Sequence, residues 1–334
     1  MTLTIGPVAI DGRAFLAPMS GVTDVGLRRL ARRFGASLVV SEMVASQELA
    51  RGDEEARMRA EGEGVSPHVV QLAGCDPYWM AEAARVAQEA GADIIDINMG
   101  CPAKKVTGGW AGSALMRDLD HALRLIEAVV GAVRVPVTLK MRLGWDDANR
   151  NAPELACRAE TAGVQLVTVH GRTRQQFYKG SADWAAVAAV RAATSLPLVV
   201  NGNICDTASA REALRLSGAD AVMVGRAAVG RPWLVGEIAR DLAGDAARSG
   251  CVLDAEAKGA AAVEHYETLL SLYGRDMGLR HARKHLAAYA DHAIELGSAR
   301  ARVERARIVT SETPQQVIAA LRAMFADVPL EDAA

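Results

Sequence analysis

Aromatic residues make up only 4% of this 334-residue chain, and neither sign of charge is in excess: 38 basic and 40 acidic side chains leave a net charge of −2. That balance excludes a protein that coats nucleic acid through bulk positive charge, and leaves room for a local basic patch. No apolar run approaches the roughly 18 to 20 residues of a membrane span. The start, Met1-Thr2-Leu3-Thr4-Ile5, has neither the basic nor the apolar region of an export signal. A cytoplasmic protein without membrane attachment is expected. Cysteine is scarce too. Cys75, Cys101, Cys157, Cys205 and Cys251 are odd in number, far apart and form no Cys-x-x-Cys, which argues against a disulfide framework and a bound metal. No Walker loop and no Gly-x-Gly-x-x-Gly after a strand is present, which argues against a nicotinamide held on a Rossmann domain.

What is present is alternation. Short β-rich runs occur at Ala14–Met19, Leu38–Val44, His68–Ala73, Ile94–Met99, Val137–Arg142, Leu166–His170, Leu198–Asn201 and Ala221–Gly225, separated by stretches of helical periodicity. Glycines at Gly91, Gly163 and Gly218 stand where left-handed C-caps would return the chain to the next strand. Eight strands alternating with helices predict an α/β fold, a (β/α)8 TIM barrel. After Trp233 the alternation stops and only helices are expected. Thr313-Pro314-Gln315-Gln316 reads as an N-cap, a first-turn proline and a capping-box glutamine. The expected domains are a barrel over residues 1–243 and a small helical domain over 244–334.

In a barrel, chemistry comes from the C-terminal strand ends, and here those ends are polar. Strand one ends in Pro18-Met19, three passes through Gln71, four ends in Asn98-Met99-Gly100-Cys101-Pro102 and five in Lys140-Met141-Arg142. Strand six ends in His170-Gly171-Arg172, seven in Asn201-Gly202-Asn203 and eight in Gly225-Arg226. Any one of these is an ordinary capped strand end; seven on one rim are not. The last two lie where this fold binds phosphate, with glycine admitting an anion to the backbone and Arg226 adding charge. That phosphate can belong to a substrate or to a flavin. Lys140 and Gln71 would face the mouth, where a lysine can stabilise an anion such as a reduced flavin.

Cys101 stands apart from the other cysteines. Gly100 and Pro102 force an irregular turn that lifts the thiol off strand four. A free thiol, with a reference pKa of about 8.5, is mostly protonated at neutral pH and can donate a proton. A nucleophile would need a paired base. His170 is the one histidine at the rim, and its reach to Cys101 is not fixed by spacing. Cys157, inside a predicted helix, is expected to be a small buried hydrophobe, and Cys75 and Cys205 to be structural.

The segments Leu16-Ala17-Pro18-Met19-Ser20-Gly21-Val22-Thr23-Asp24 and Asn98-Met99-Gly100-Cys101-Pro102-Ala103-Lys104-Lys105-Val106 resemble the tRNA-dihydrouridine synthase family, in its bacterial B subfamily. His170-Gly171-Arg172-Thr173-Arg174, Asn201-Gly202-Asn203 and Gly225-Arg226-Ala227 continue the match. The resemblance covers the barrel and is less distinct in the tail. It implies an FMN enzyme that reduces a D-loop uridine of tRNA to 5,6-dihydrouridine, with NADPH reloading the flavin and a helical tRNA-binding domain behind the barrel. By position, Ala17, Pro18 and Met19 would lie against the isoalloxazine, and Gln71, Lys140 and His170 at its polar edge. Asn201, Gly202, Asn203, Gly225 and Arg226 would hold the ribityl phosphate. Asn203 departs from the family's usual aspartate, which leaves binding through backbone N–H intact. Hydride from flavin N5 would add at uracil C6, and Cys101 would protonate C5. Asn98 and Arg172 are candidates for the uracil edge.

A tRNA must be gripped while its uridine leaves the stack. The window 275–307 holds eight basic residues (Arg275, Arg280, Arg283, Lys284, Arg300, Arg302, Arg305, Arg307) against four acids. Lys104, Lys105, Arg172 and Arg174 at the rim would extend that path, and Arg302 and Arg305 are its expected tail contacts. No feature calls for a protein partner. Two other readings compete. A flavin barrel acting on a free pyrimidine, as in dihydroorotate-dehydrogenase-like enzymes, would leave the basic tail unexplained. A non-catalytic tRNA-binding protein would leave Lys140, Cys101 and the phosphate motif unexplained.

Overall fold

In the computed structural model, which describes residues 2–244 and 253–329, eight parallel strands close into a barrel. They are Ala14–Leu16, Leu38–Ala45, Val69–Ala73, Ile94–Met99, Val137–Arg142, Val167–His170, Leu198–Asn201 and Ala221–Val224, each paired with its neighbours in chain order, the eighth closing on the first. Gly91, Gly163 and Gly218 all have positive φ, as helix-ending C-caps require. Cys251 lies outside the described residues.

Strand period two divides the barrel into two apolar layers. Outward residues such as Val39, Val70, Ile95, Leu139 and Val200 pack under the helices. Inward residues Phe15, Leu38, Val40, Val69, Ile94, Val199 and Met223 fill the lower interior. An antiparallel hairpin, Thr2–Ile5 with Val8–Asp11, adds Leu3, Ile5 and Ile10 to that cluster and seals the bottom. Sequence periodicity does not reveal this hairpin, because its strands are only four residues long. One expectation fails among the helices: Cys157 is exposed, because Ala152–Thr161 buries Ala152, Leu155, Ala156 and Ala159 and turns Cys157 to solvent.

The tail consists of Ala255–Glu295, broken at Gly274 (φ 71°, ψ 171°), then Ala299–Thr310 and Pro314–Ala326. Pro314 does open the last helix, but the capping box is not formed. Thr313 makes no side-chain cap, and its N–H instead turns back to Ser311 Oγ at 3.2 Å.

Tail and barrel share a core. Trp233 is fully buried edge-on between Phe34 and Phe325, with centroids 6.2 and 6.4 Å away. Beside it, Asp24 caps the first barrel helix through Leu27 N–H at 3.0 Å and pairs with His265 at 3.1 Å, whose other ring nitrogen meets Tyr289 Oη at 3.0 Å. His285 lies 3.7 Å from the same carboxylate, with both ring nitrogens otherwise unpartnered. Burial alone would raise the Asp24 carboxyl, but the His265 charge and hydrogen bond, with His285, hold it well below the usual carboxylate range. Burial, reinforced by His265, pushes the His285 imidazole down to about 3.

A folded-state pKa below the unfolded value stabilises above the unfolded pKa, near 6.5 for His, and that stability is lost as pH falls through the folded value. Unfolding free energy, and with it the melting temperature, is therefore expected to drop between pH 6.5 and 4, the free energy at up to roughly 1.4 kcal/mol per pH unit for each proton taken up. A His285→Gln variant should show a shallower drop over the same range, and an equal slope would count against this assignment.

Candidate active site

Strand register assembles the site. Asn98 pairs with Lys140, Arg142 with His170, His170 with Asn201 and Gln71 with Asp96. Paired residues on parallel strands point the same way, so period two turns these polar groups into the upper barrel above the apolar layers. All but Asp96, which lies beneath them, line a cavity of about 1370 Å³ at the barrel mouth. Every residue expected at a cofactor lies on its wall: Ala17, Pro18, Met19, Gln71, Lys140, His170, Asn201, Gly202, Asn203, Gly225 and Arg226. Cys101, Asn98, Lys105 and Arg172 share it, whereas Lys104, Arg174, Arg302 and Arg305 lie off it.

Cys101 is held from both sides. Asn98 Oδ1 accepts its N–H at 3.0 Å and that of Gly100 at 3.3 Å. Its carbonyl accepts from the N–H of Ser113 at 3.0 Å and from its Oγ at 2.8 Å. Arg142, fully buried, donates to Gly100 O at 2.8 Å. Below, Asn98 Nδ2 donates to Gln71 Oε1 at 2.8 Å, and Gln71 Nε2 to Asp96 at 2.6 Å. Thr138 Oγ1 donates to the other Asp96 oxygen at 2.6 Å. The Asn98 Oδ1 is thus spent on the turn that carries the thiol, and one Nδ2 hydrogen on Gln71.

Buried charge sets the electrostatics. Burial pushes the Lys140 ammonium down to about 8, with Arg142 adding repulsion and Asp96 opposing it. Its Nζ donates to Asn201 Oδ1 at 3.3 Å. His170 is pushed well below 6.5 by burial, then by Arg142, Lys140, Arg172 and Arg226, and is neutral at physiological pH. Arg172 donates to His170 Nε2 at 3.1 Å, which places the ring proton on Nδ1. Three of its four remaining N–H groups go to Lys179 O, Gly180 O and Asn203 Oδ1, so the Arg172 guanidinium orients its neighbours.

The loops after strands seven and eight fit an anion. Asn203 has φ 54° and Gly202 φ 116°. A Cβ on Gly202 would stand 2.8 Å from Ala182 Cβ and 2.9 Å from His170 Cδ2, so only glycine fits there. Among the described residues, the backbone N–H groups of Asn203, Arg226 and Ala227 have no backbone partner. The Arg226 guanidinium lies 5.0 Å from the Tyr178 ring centre. Orphan N–H donors beside an arginine suit a phosphate, and the neighbouring apolar wall of Ala17, Pro18 and Met19 suits a flat ring.

Asp96, Arg142 and Tyr178 carry no role in the sequence reading. Asp96 was legible as the one charge inside Ile94–Met99, and Arg142 as the last inward residue of its strand. Tyr178 needed the loop fold. In the tail, Arg305 is paired with both oxygens of Asp291, at 2.5 and 3.0 Å, whereas Arg302 is exposed.

Gly112, with φ 61°, packs under this turn. A Cβ there would meet Cys101 O at 2.8 Å and Val106 Cγ1 at 2.9 Å. Gly112→Ala should cost roughly 1–3 kcal/mol in denaturant unfolding. Gly131→Ala, on an exposed helix face with nothing within 4 Å, should be neutral or stabilise by up to about 1 kcal/mol.

Comparison with known proteins gives the family. The family model described as dihydrouridine synthase (Dus) matches residues 15–326. A protein of Rhizobium leguminosarum bv. phaseoli named "Probable tRNA-dihydrouridine synthase" is 56% identical over 94% of this chain and 95% of its own. "tRNA-dihydrouridine synthase B" of Xanthomonas axonopodis pv. citri is 46% identical over 99% of this chain and 100% of its own. Among solved structures, morphinone reductase in complex with tetrahydroNAD shares the fold at TM-score 0.52 and 16% identity, over 72% of this chain and 90% of its own. Matched from the first barrel strand to the last tail helix, and more than half identical to a relative along nearly its whole length, the chain belongs to the dihydrouridine synthase family.

Proposed function

We propose that this family member is an FMN-dependent tRNA-dihydrouridine synthase that reduces one or more D-loop uridines of tRNA with NADPH as reductant. The observation that carries the reading is Cys101, its backbone turn held by Asn98, Ser113 and Arg142 on the wall of a cavity whose other walls suit a phosphate and a flat ring. The flavin, when bound, supplies a hydride for uracil C6 and is restored by NADPH. Asn203, Arg226 and Ala227 would hold its phosphate through backbone N–H, and Ala17, Pro18 and Met19 would face its ring.

The protein's own groups account for the rest. Uracil C5=C6 is conjugated with the C4 carbonyl, so reduction at C6 leaves negative charge on C5 and the C4 oxygen. Cys101, as a neutral acid, gives the proton to C5. Lys140 supplies positive charge at the mouth, where low dielectric strengthens it. His170, neutral with its Nδ1 proton fixed by Arg172, can donate one hydrogen bond without adding charge. Asn98 and Arg172 position Cys101 and His170 through most of their polar groups, and each keeps one side-chain N–H that can meet the uracil edge.

Lys104 and Lys105 at the rim, together with Arg302 in the tail, would meet tRNA phosphates. Lys284 joins the two regions: its Nζ lies 3.2 Å from the position a Cβ on Gly21 would take, in the loop after strand one. Arg305 is less available because Asp291 neutralises it.

Cys101→Ala should leave FMN bound and reducible by NADPH while lowering dihydrouridine formation on tRNA by about two to four orders of magnitude. Full activity in that variant would remove Cys101 as the acid. Mapping dihydrouridine in tRNA from a strain lacking this gene tests the reading itself, and an unchanged D-loop would overturn it. Turnover of free uracil or orotate without tRNA would favour the free-pyrimidine reading.

A further inference from the structure

Four side chains outside the reaction centre form a ladder on the barrel rim. The Arg117 guanidinium lies 5.2 Å from the Trp110 ring centre and 4.9 Å from that of Trp145, and Arg174 lies 4.9 Å from Trp145 on its own account. Indole and guanidinium alternate across the loops that follow strands four, five and six. Arg174 Nη2 also reaches Thr107 Oγ1 at 3.5 Å, which ties the ladder back to the segment carrying Cys101.

Trp110 is the outer end. It is 59% exposed and has φ 61°, a conformation that a bulky L-residue rarely adopts. Its neighbours Gly109 and Ala111 line the cavity, and Gly112 packs directly beneath Cys101. Exposed single apolar residues are common and need no explanation. This one is strained, backed by a cation and set at the lip of a cavity flanked by Lys104 and Lys105.

We propose that Trp110 is a stacking platform for a nucleobase of the bound tRNA adjacent to the extruded uridine, with the Arg117–Trp145–Arg174 ladder holding the indole in place. The proposal rests on the tRNA reading given above. A nucleobase is the fitting occupant because it offers a flat face for the indole while its phosphates meet the surrounding cations. The adenine of the nicotinamide reductant has the same chemistry, so the test separates the two sources.

The experiment measures tRNA affinity of the FMN-loaded enzyme across a salt series for wild type, Trp110→Ala, Trp110→Phe and Lys105→Ala. Trp110→Ala should weaken binding by about 5- to 150-fold, the range for losing one stacked base, with an unchanged slope of log Kd against log salt. Trp110→Phe should restore most of the loss. Lys105→Ala should flatten the slope instead. A second readout covers any folding defect: tRNA should quench part of the tryptophan emission of wild type, and that part should be missing in Trp110→Phe. Wild-type affinity in Trp110→Ala, or equal quenching in Trp110→Phe, overturns the platform. So does a loss confined to NADPH saturation of flavin reduction without tRNA, which would assign the indole to the reductant's adenine. Were wild type itself to bind no tRNA and form no dihydrouridine, the functional reading would fail and take the platform with it; normal wild-type activity beside an unaffected Trp110→Ala would remove the platform alone.

Discussion

Adjacent parallel strands pair Asn98 with Lys140, Arg142 with His170 and His170 with Asn201, and this register is the constraint on which the site depends. A slip of one residue in any pair would turn an inward polar group outward into the Val- and Leu-rich layer beneath the helices. The same alternation that gives the barrel its apolar lower layers therefore delivers the polar ring at its mouth. Closure adds the second half of the constraint: none of the eight barrel strands has a free edge along which to shift.

Such a ring is costly to bury. Lys140, Asp96, Arg142 and Arg172 are all largely inaccessible, and a buried charge is tolerated only when it is paired or fully hydrogen-bonded. The protein meets that requirement with backbone as much as with opposite charge. Arg142 and Arg172 spend their donors on Gly100, Thr173, Phe177, Lys179 and Gly180 carbonyls, all in the loops of the mouth. The guanidiniums thereby order the irregular segments that a barrel leaves unpaired at its strand ends. Lys140 is treated differently. With one long contact to Asn201 and repulsion from Arg142, it is left as positive charge to be used by whatever enters the cavity.

Strands and strand ends were legible because each obeys a local rule. All eight barrel runs were placed to within a few residues, and every expected cofactor residue lies on one cavity wall. What escaped follows from chain contacts that no local pattern records. The hairpin of Thr2–Ile5 and Val8–Asp11 is too short for periodicity and is defined by what it plugs. Asn98 and Arg172, the candidates for the uracil edge, both line the cavity, yet the further groups that they hold are not visible in the local pattern. Their hydrogen bonds to Cys101 and His170 come from the turn geometry of residues two or more positions away. Cys157 illustrates the opposite error, since residue type suggested burial and helix phase decided otherwise.

Tail charge was read from a window of sequence, and the fold reorders its importance. Arg305 is neutralised by Asp291, and Arg300 and Arg307 both converge on Glu304, whereas Lys284 is carried to Gly21 beside the mouth. What carries it there is the buried contact of Asp24 with His265 and His285, on either side of the break at Gly274. Asp24 also caps the barrel helix that follows the Met19 loop. One carboxylate thus fixes three things: the start of that helix, the packing of the tail, and the placement of a tail cation against the rim. On the proposed function, an RNA gripped by the tail would in this way be held in register with the cavity.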